Sequence, residues 1–292
     1  MKIVTAVVNN PIFIEIQYYT FRRYIRGNYE FIVFNDAKSF PDFTNGGNIY
    51  LKQEIERTCK KLGIKCINIP NDHHASKTNR LAKEPSFRTA EAMNFILEYQ
   101  KRNADYYLLV DSDMFLIDFL DIDYYKQFDS AIILQKRVGL DKKPIHYIWN
   151  GFYYFNIPKL NTTLMNWHCT FTTDTGGMMC NWLKTVVSEI PDIIKIKSHA
   201  ADEEQIICDN TLFCKYLCSL EWNEACLPDN LENNTQLVEF FKNDDRNVNS
   251  NFYCEIYDGK FLHYRGGGNW EKQDFNKHVS RSEQLMKCLL AE

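Results

Sequence analysis

No apolar stretch in this chain approaches the ~18 residues of a membrane-crossing helix. The opening run, Met1 to Val8, is too short for the apolar core of a secretion signal and stops at Asn9-Asn10-Pro11. Cys-x-x-Cys pairs are also missing. Ten cysteines are scattered between Cys59 and Cys288. Cys214 and Cys218 are one helical turn apart, but no second pair matches them, which argues against a zinc knuckle. The set reads as free thiols in a reducing, cytoplasmic setting, with the sequons at Asn161 and Asn233 unused. Positive charge is not in excess: 34 Lys and Arg stand against 38 Asp and Glu, a net −4. That balance excludes a general nucleic-acid grip and leaves room for one local phosphate site. Finally, there is no Gly-x-Gly-x-x-Gly after the first apolar run and no Walker loop, so a phosphate bound here lacks the usual backbone cradle.

What is present in the first half is an alternation of short apolar runs and helical stripes. Residues 2–8 read as a strand. Asn10 caps a helix with Pro11 at its first position, running to residue 26 and ended by Gly27-Asn28. Strands are expected over 30–34, 64–69 and 106–110, and helices over 48–62 and, with Ser86 as cap, 87–102. This order implies a parallel sheet with right-handed crossovers, whose ligands bind beyond the carboxyl ends of the strands. Asn9-Asn10, Asn35-Asp36 and Asp111-Ser112-Asp113 all fall at such ends. The second half is less regular. Strands are expected over 131–134 and over 147–155, the latter interrupted at Asn150-Gly151. A small-residue loop over 172–177, a helix over 178–189, a helix opening at Asp202, a short strand over 261–264 and a terminal helix over 278–290 complete it. The 292 residues are enough for one large α/β domain or two small ones.

Asp111 and Asp113 are the centre of interest. Two carboxylates one residue apart at a strand exit suit a hard divalent cation that a diphosphate also ligates. Spacing alone is weak, because about one such pair is expected by chance in a chain of ordinary composition, and a second, Asp121-Ile122-Asp123, lies in a loop or short helix. Position separates the two. The adjacent His73-His74 reads as surface loop, since neighbouring residues point apart and no third ligand lies close in sequence.

The segments Asp111-Ser112-Asp113-Met114-Phe115, 150–156, 202–205, His263-Tyr264-Arg265-Gly266 and Trp270 resemble, in order, those of GT-A-fold glycosyltransferases. The likeness is closest to retaining enzymes of the glycogenin and bacterial galactosyltransferase group, and the Asp-Glu segment is similar to that of the blood-group transferases. The resemblance implies one α/β domain with a Rossmann-like, mostly parallel central sheet flanked by helices. Residues 1–120 would form the nucleotide-sugar half and 121–292 a smaller, mixed acceptor and catalytic half. It implies a manganese or magnesium ion on Asp111, Asp113 and His263, and a nucleotide-diphosphate sugar, UDP favoured over GDP. The donor would lie against Ala6, Val7, Asn9, Asn10, Asp36, Arg88, Ser112, Gly266, Gly267, Gly268 and Asn269. Asn269 stands where the family commonly has a phosphate-binding Lys, with Arg265 or Lys272 as substitutes. Glu203, flanked by Asp202 and Glu204, would face the reacting carbon, with retention favoured. Trp149, Asn150, Gly151, Gly176, Gly177 and Trp270 would line the sugar and acceptor pocket, with Trp182 a further stacking face. The acceptor would be a glycan, a protein or a small molecule, and the enzyme a monomer or homodimer. A sugar-phosphate nucleotidyltransferase and a non-catalytic sugar-nucleotide or glycan binder are the competing readings. The first lacks its Gly-rich basic loop after strand one; the second does not need an intact Asp-Ser-Asp.

Overall fold

The structure is a computed structural model and describes residues 1–76, 78, 81–197, 204–224, 231, 234–267 and 275–291. The first half follows the expected alternation: β1 Lys2–Val7, α1 Pro11–Tyr24, the two-residue β2 Ile25–Arg26, β3 Glu30–Asn35, α2 Leu51–Leu62, β4 Lys65–Asn68, α3 Pro85–Arg102 and β5 Tyr106–Val110. Asn10 caps α1, its side chain accepting the Ile12 N–H, and Pro11 follows as the first helical residue. α2 ends on Gly63, whose φ of 68° is the left-handed stop that glycine adopts at least cost. One cap differs from expectation: α3 begins at Pro85 after Glu84, so Ser86 lies inside the helix. Proline fixes its own φ and needs no N–H partner in the first turn, and it outcompetes the serine.

The chain continues through β6 Met114–Leu116, β7 Leu120–Asp121, α4 Ile122–Tyr125, β8 Ser130–Val138, β9 Pro144–Asn156, α5 Met179–Val186, α6 Ile193–Ile196, β10 Ile206–Cys208, β11 Thr211–Phe213, β12 Tyr216–Leu217, α7 Thr235–Lys242, β13 Glu255–Tyr257, β14 Phe261–His263 and α8 Phe275–Leu290. Asp121 of the second Asp pair caps α4, accepting the Asp123 N–H, which gives that pair a structural role.

The central sheet has the order β10-β11-β8-β9-β5-β1-β3-β4. β4, β3, β1 and β5 are parallel, as expected. β8 and β11 are parallel to each other and run in the same direction as these strands, so the sheet is mostly parallel, as expected; β9, between β5 and β8, and the edge strand β10 run the other way. The chain is thus α/β, with a large, mostly parallel central sheet flanked by helices. β9 is one continuous strand through Asn150-Gly151, not two pieces. Its segment Phe152-Tyr153-Tyr154-Phe155 is fully buried, the near-continuous apolar run of a strand covered on both faces. The Trp167 and Trp182 rings pack on this strand, 4.9 Å from Tyr153 and 5.3 Å from Phe155. Trp182 is therefore a core residue, its indole N–H donating to the Asn161 carbonyl at 3.0 Å. A second, antiparallel sheet, β12-β13-β14-β6, was not legible as such in the sequence. The expected helix opening at Asp202 is replaced, where the structure describes it, by irregular Glu204-Gln205 and then β10. No helix among the described residues is long and apolar enough to cross a membrane.

Candidate active site

The cleft lies where a doubly wound sheet places its ligands, beyond the carboxyl ends of β1 and β5 at the point where strand order reverses. It has a volume of about 570 Å³. Asp111 leaves β5, and its N–H donates to the Gly151 carbonyl of β9 at 2.7 Å. A tight turn follows: the Ser112 N–H donates to Asp111 Oδ1 at 2.8 Å and the Met114 N–H to the Asp111 carbonyl at 3.1 Å. Gln17, buried on α1, clamps the same turn, with Nε2 donating to the carbonyls of Asp111 (2.7 Å) and Met114 (3.1 Å). The signal for Gln17 in the sequence is a polar residue on the apolar face of a helix, and the sequence reading passed over it.

The turn feeds directly into β6, which pairs antiparallel with β14 so that Met114 lies opposite His263. This pairing closes the gap of 150 residues between the Asp pair and His263. One ligand atom from each of Asp111, Asp113 and His263 lies within 4.8 Å of the others. Asp113 is fixed from three sides: its carbonyl accepts the Tyr264 N–H at 2.8 Å, its Oδ2 accepts the Gly267 N–H at 2.9 Å, and its Oδ1 lies 3.1 Å from His263 Nε2. That last contact is an ion pair without hydrogen-bond alignment, so Oδ1 is buried and accepts no hydrogen bond. The other ring nitrogen of His263, Nδ1, donates to Glu255 at 2.7 Å, and the Tyr257 hydroxyl donates to the same Glu255 oxygen at 2.7 Å. Glu255 thus orients the imidazole and turns Nε2 toward the carboxylates, the second-layer partner that metal-binding histidines usually have. Glu255 carries no motif that would flag it in one sequence.

Electrostatics agree with a cation-ready site. Burial, then the charge of Asp113, push the Asp111 carboxyl up to about 7. Burial disfavours a charged His263, yet the Asp113 and Glu255 carboxylates around it raise its pKa well above the usual value. Burial likewise opposes the Glu255 charge, but the His263 hydrogen bond and charge, with Tyr257 and Arg265, win and hold it at about 2. A divalent cation held by Asp111, Asp113 and His263 would relieve the carboxylate repulsion and give the buried Asp113 Oδ1 a bond that it otherwise lacks. An imidazole beside two carboxylates suits manganese better than calcium.

The low pKa of Glu255 has a pH consequence. Folding lowers it from the ordinary 4.5 to about 2, so the unfolded chain binds this proton more readily. The resulting stability is fully present above about pH 4.5 and is lost as pH falls toward 2. Melting temperatures measured across that window are expected to fall less steeply in Glu255→Gln than in the wild type. Equal slopes would contradict the assignment.

Glycine at 267 is required by close approach. A Cβ there would lie 2.8 Å from the Asp113 Cβ and 2.8 Å from the Phe13 ring. Gly267→Ala is expected to displace Asp113 and to weaken the binding of any divalent cation held at this site, by about tenfold where a ligand's positioning partner is lost, read by calorimetry; an unchanged affinity would mean that Asp113 is not positioned from Gly267. Gly151 serves Trp149 in the same way, since a Cβ would meet its indole at 2.3 Å. The Trp149 indole stacks on Tyr257 at 4.6 Å and lies 5.2 Å from His263.

Of the residues singled out from sequence, Ala6, Asp36, Asp111, Ser112, Asp113, Trp149, Asn150, His263 and Gly266 line this one cleft, and so does Arg265. Others stand behind its walls. Val7 is buried in the core. Asn9 donates to the Thr44 carbonyl at 2.8 Å, and Asn10, besides capping α1, donates to Ser282 at 3.0 Å. The Arg88 guanidinium is engaged by Asp42. Gly176, with φ of 89°, and Gly177 are buried in the turn behind Asp174 and Thr175, and those two line the cleft instead. Glu204 is exposed. Asp202, Glu203, Gly268, Asn269, Trp270 and Lys272 lie outside the described residues.

No protein-family model matches the chain, and no curated protein sequence matches it. Among solved structures, it is similar to the bifunctional glycosyltransferase WbbM in its apo form (10% identity, TM-score 0.33, covering 54% of this chain and 31% of that one). It is similar to the galactosyltransferase LgtC in complex with donor and acceptor sugar analogues (12%, 0.34, 55% and 59%). It is also similar to mouse xyloside xylosyltransferase 1 in its apo form (6%, 0.33, 54% and 68%). The chain spans about a third of the length of WbbM and under two thirds of LgtC. Likenesses this distant assign no function to the chain, which leaves the geometry of its cleft to do so.

Proposed function

We propose that this chain is a metal-dependent glycosyltransferase that moves a sugar from a nucleotide-diphosphate sugar, UDP favoured, to an acceptor hydroxyl, with retention. The observation that carries the reading is the convergence of Asp111, Asp113 and His263 at the carboxyl end of the parallel strands, with a buried Asp113 oxygen that accepts no hydrogen bond 3.1 Å from His263 Nε2. When bound by these residues, a divalent cation supplies neutralisation of the charge that grows on the leaving diphosphate.

The chain's own groups do the rest. Gln17, the Gly267 N–H and Glu255 hold the ligands in position before anything binds. Asp36, at the end of β3, lines the cleft where a base or ribose would lie and accepts from hydroxyl or N–H groups. Arg265, the guanidinium of the lining, offers donors to phosphate in place of the family's lysine. Trp149 and Asn150, together with Asp174 and Thr175, form the wall left for sugar and acceptor. Glu203, with Asp202 and Glu204, stays our choice for the reacting face, as stabiliser of the oxocarbenium-like centre.

Calorimetry of UDP and GDP with and without manganese tests this reading. Tight UDP binding only when manganese is present is expected. Equal binding without the ion would contradict it, and release of pyrophosphate from a nucleoside triphosphate and a sugar phosphate would replace it with a nucleotidyltransferase.

A further inference from the structure

Away from the Asp111 site, a second group of metal-ligating side chains brings its donor atoms within 4.8 Å of one another: His73, His74 and Glu91. The histidines lie on the short 3₁₀ turn Asp72–Ala75, and Glu91 comes from the second turn of α3. The sequence offers no third ligand beside the histidines; the fold supplies one from 17 residues on. His73 Nε2 lies 3.1 and 3.3 Å from the two Glu91 oxygens, and His74 Nε2 lies 2.5 Å from one of them. The two rings sit 4.3 Å apart. In a tetrahedral zinc site with bonds of about 2.0–2.1 Å, neighbouring ligand atoms are about 3.3 Å apart. The His73 separations already match that edge, and the His74 contact has only to open by less than an ångström.

Charge and access fit as well. The nearby cations are already matched, Lys38 by Asp36 at 2.9 Å and Arg88 by Asp42 at 2.6 Å. Among the described residues, Glu91 pairs with imidazoles and with no lysine or arginine. The His74 side chain is 2% exposed and that of His73 51%. An exposed imidazole gains little from a hydrogen bond that water would supply equally well, yet His73 converges on the same carboxylate as its neighbour. The three line a cavity of about 300 Å³ that His168 also borders.

We infer that His73, His74 and Glu91 form a second divalent-cation site of zinc type, separate from the Asp111 site, that clips the 72–75 turn to α3. Asn71, just before that turn, donates to the carbonyl (2.9 Å) and Oδ1 (2.8 Å) of Asp36, and Asp36 lines both cavities. Ser86 and Thr89, at the start of α3, line the cleft. The clip therefore steadies one wall of the cleft and takes no part in its chemistry.

The test uses the full chain with the first site disabled by Asp111→Asn/Asp113→Asn, titrated with zinc chloride and, separately, cobalt chloride. One equivalent of zinc is expected by calorimetry. The cobalt form should show the intense visible bands of a four-coordinate ion, and zinc should raise the melting temperature. Adding His73→Ala, which removes an exposed side chain, or Glu91→Gln should weaken zinc at least tenfold and abolish those bands. Absence of zinc binding in the double variant, or binding that survives both further substitutions unchanged, would overturn the assignment.

Discussion

Replacing both carboxylates, Asp111→Asn/Asp113→Asn, is expected to lower the rate of sugar transfer by at least about a thousandfold. A metal that stabilises charge on the departing diphosphate is worth several kcal/mol, and each 1.4 kcal/mol is about tenfold in rate. The amides retain the shape of the turn but carry no charge, so the fold should survive. Asp111, its carboxyl pushed up to about 7 when no cation is present, loses little stability as a neutral group. Asp113 keeps its carbonyl bond to Tyr264. The expected signature is therefore a collapse of turnover and of manganese-dependent UDP binding at nearly unchanged melting temperature. Initial rates with a UDP-sugar panel, alongside thermal unfolding, check it. A variant that keeps within tenfold of wild-type turnover would remove the Asp pair from the chemistry.

The second large effect lies in stability. Arg88 and Asp42 form a two-point ion pair, with Nη1 to Oδ2 at 2.6 Å and Nη2 to Oδ1 at 2.9 Å, and their side chains are only 5% and 8% exposed. Thr44 adds its hydroxyl at 2.6 Å and its N–H at 3.2 Å to the same carboxylate, and the guanidinium lies 4.5 Å from the centre of the Phe43 ring. Arg88→Ala would leave Asp42 charged, buried and without its cation, which costs about 3–5 kcal/mol. In a chain of this size that is a fall in melting temperature on the order of 10 °C. Arg88→Lys should recover only part of it, because an ammonium cannot make both contacts at once. The sequence reading placed Arg88 on the donor. If that is its main role, Arg88→Ala will raise the KM for the donor and leave the melting temperature where it was.

The two cases show what a single sequence does and does not disclose. Periodicity and strand-end polarity gave the parallel strands, the Asn10 cap and the carboxylates of the cleft, because those features are local. The partnership of β6 with β14 is not local: two three-residue strands 150 residues apart carry too few side chains to register as a pair, yet they bring His263 to Asp113. His263 was reached through family order, and Glu255 behind it was missed because its role is defined wholly by what it touches. The family resemblance puts Asn10 and Arg88 on the donor. In the fold Asn10 donates to Ser282 and Arg88 pairs with Asp42, partners far off in the chain that the sequence does not point to. β9 was read as broken because Asn-Gly commonly marks a turn, but here glycine makes room for the Trp149 indole within an unbroken strand. His73 and His74 looked unremarkable for want of a third ligand, and α3 brings one.

Crystals grown or soaked with UDP and manganese, measured at a wavelength where manganese scatters anomalously, test the central claim most directly. The account predicts an anomalous peak bonded to Asp111, Asp113 and His263 Nε2 and to the diphosphate of UDP, with the nucleoside toward Asp36. UDP bound in the cleft with no peak at those three residues, or a peak there that UDP does not touch, would contradict it.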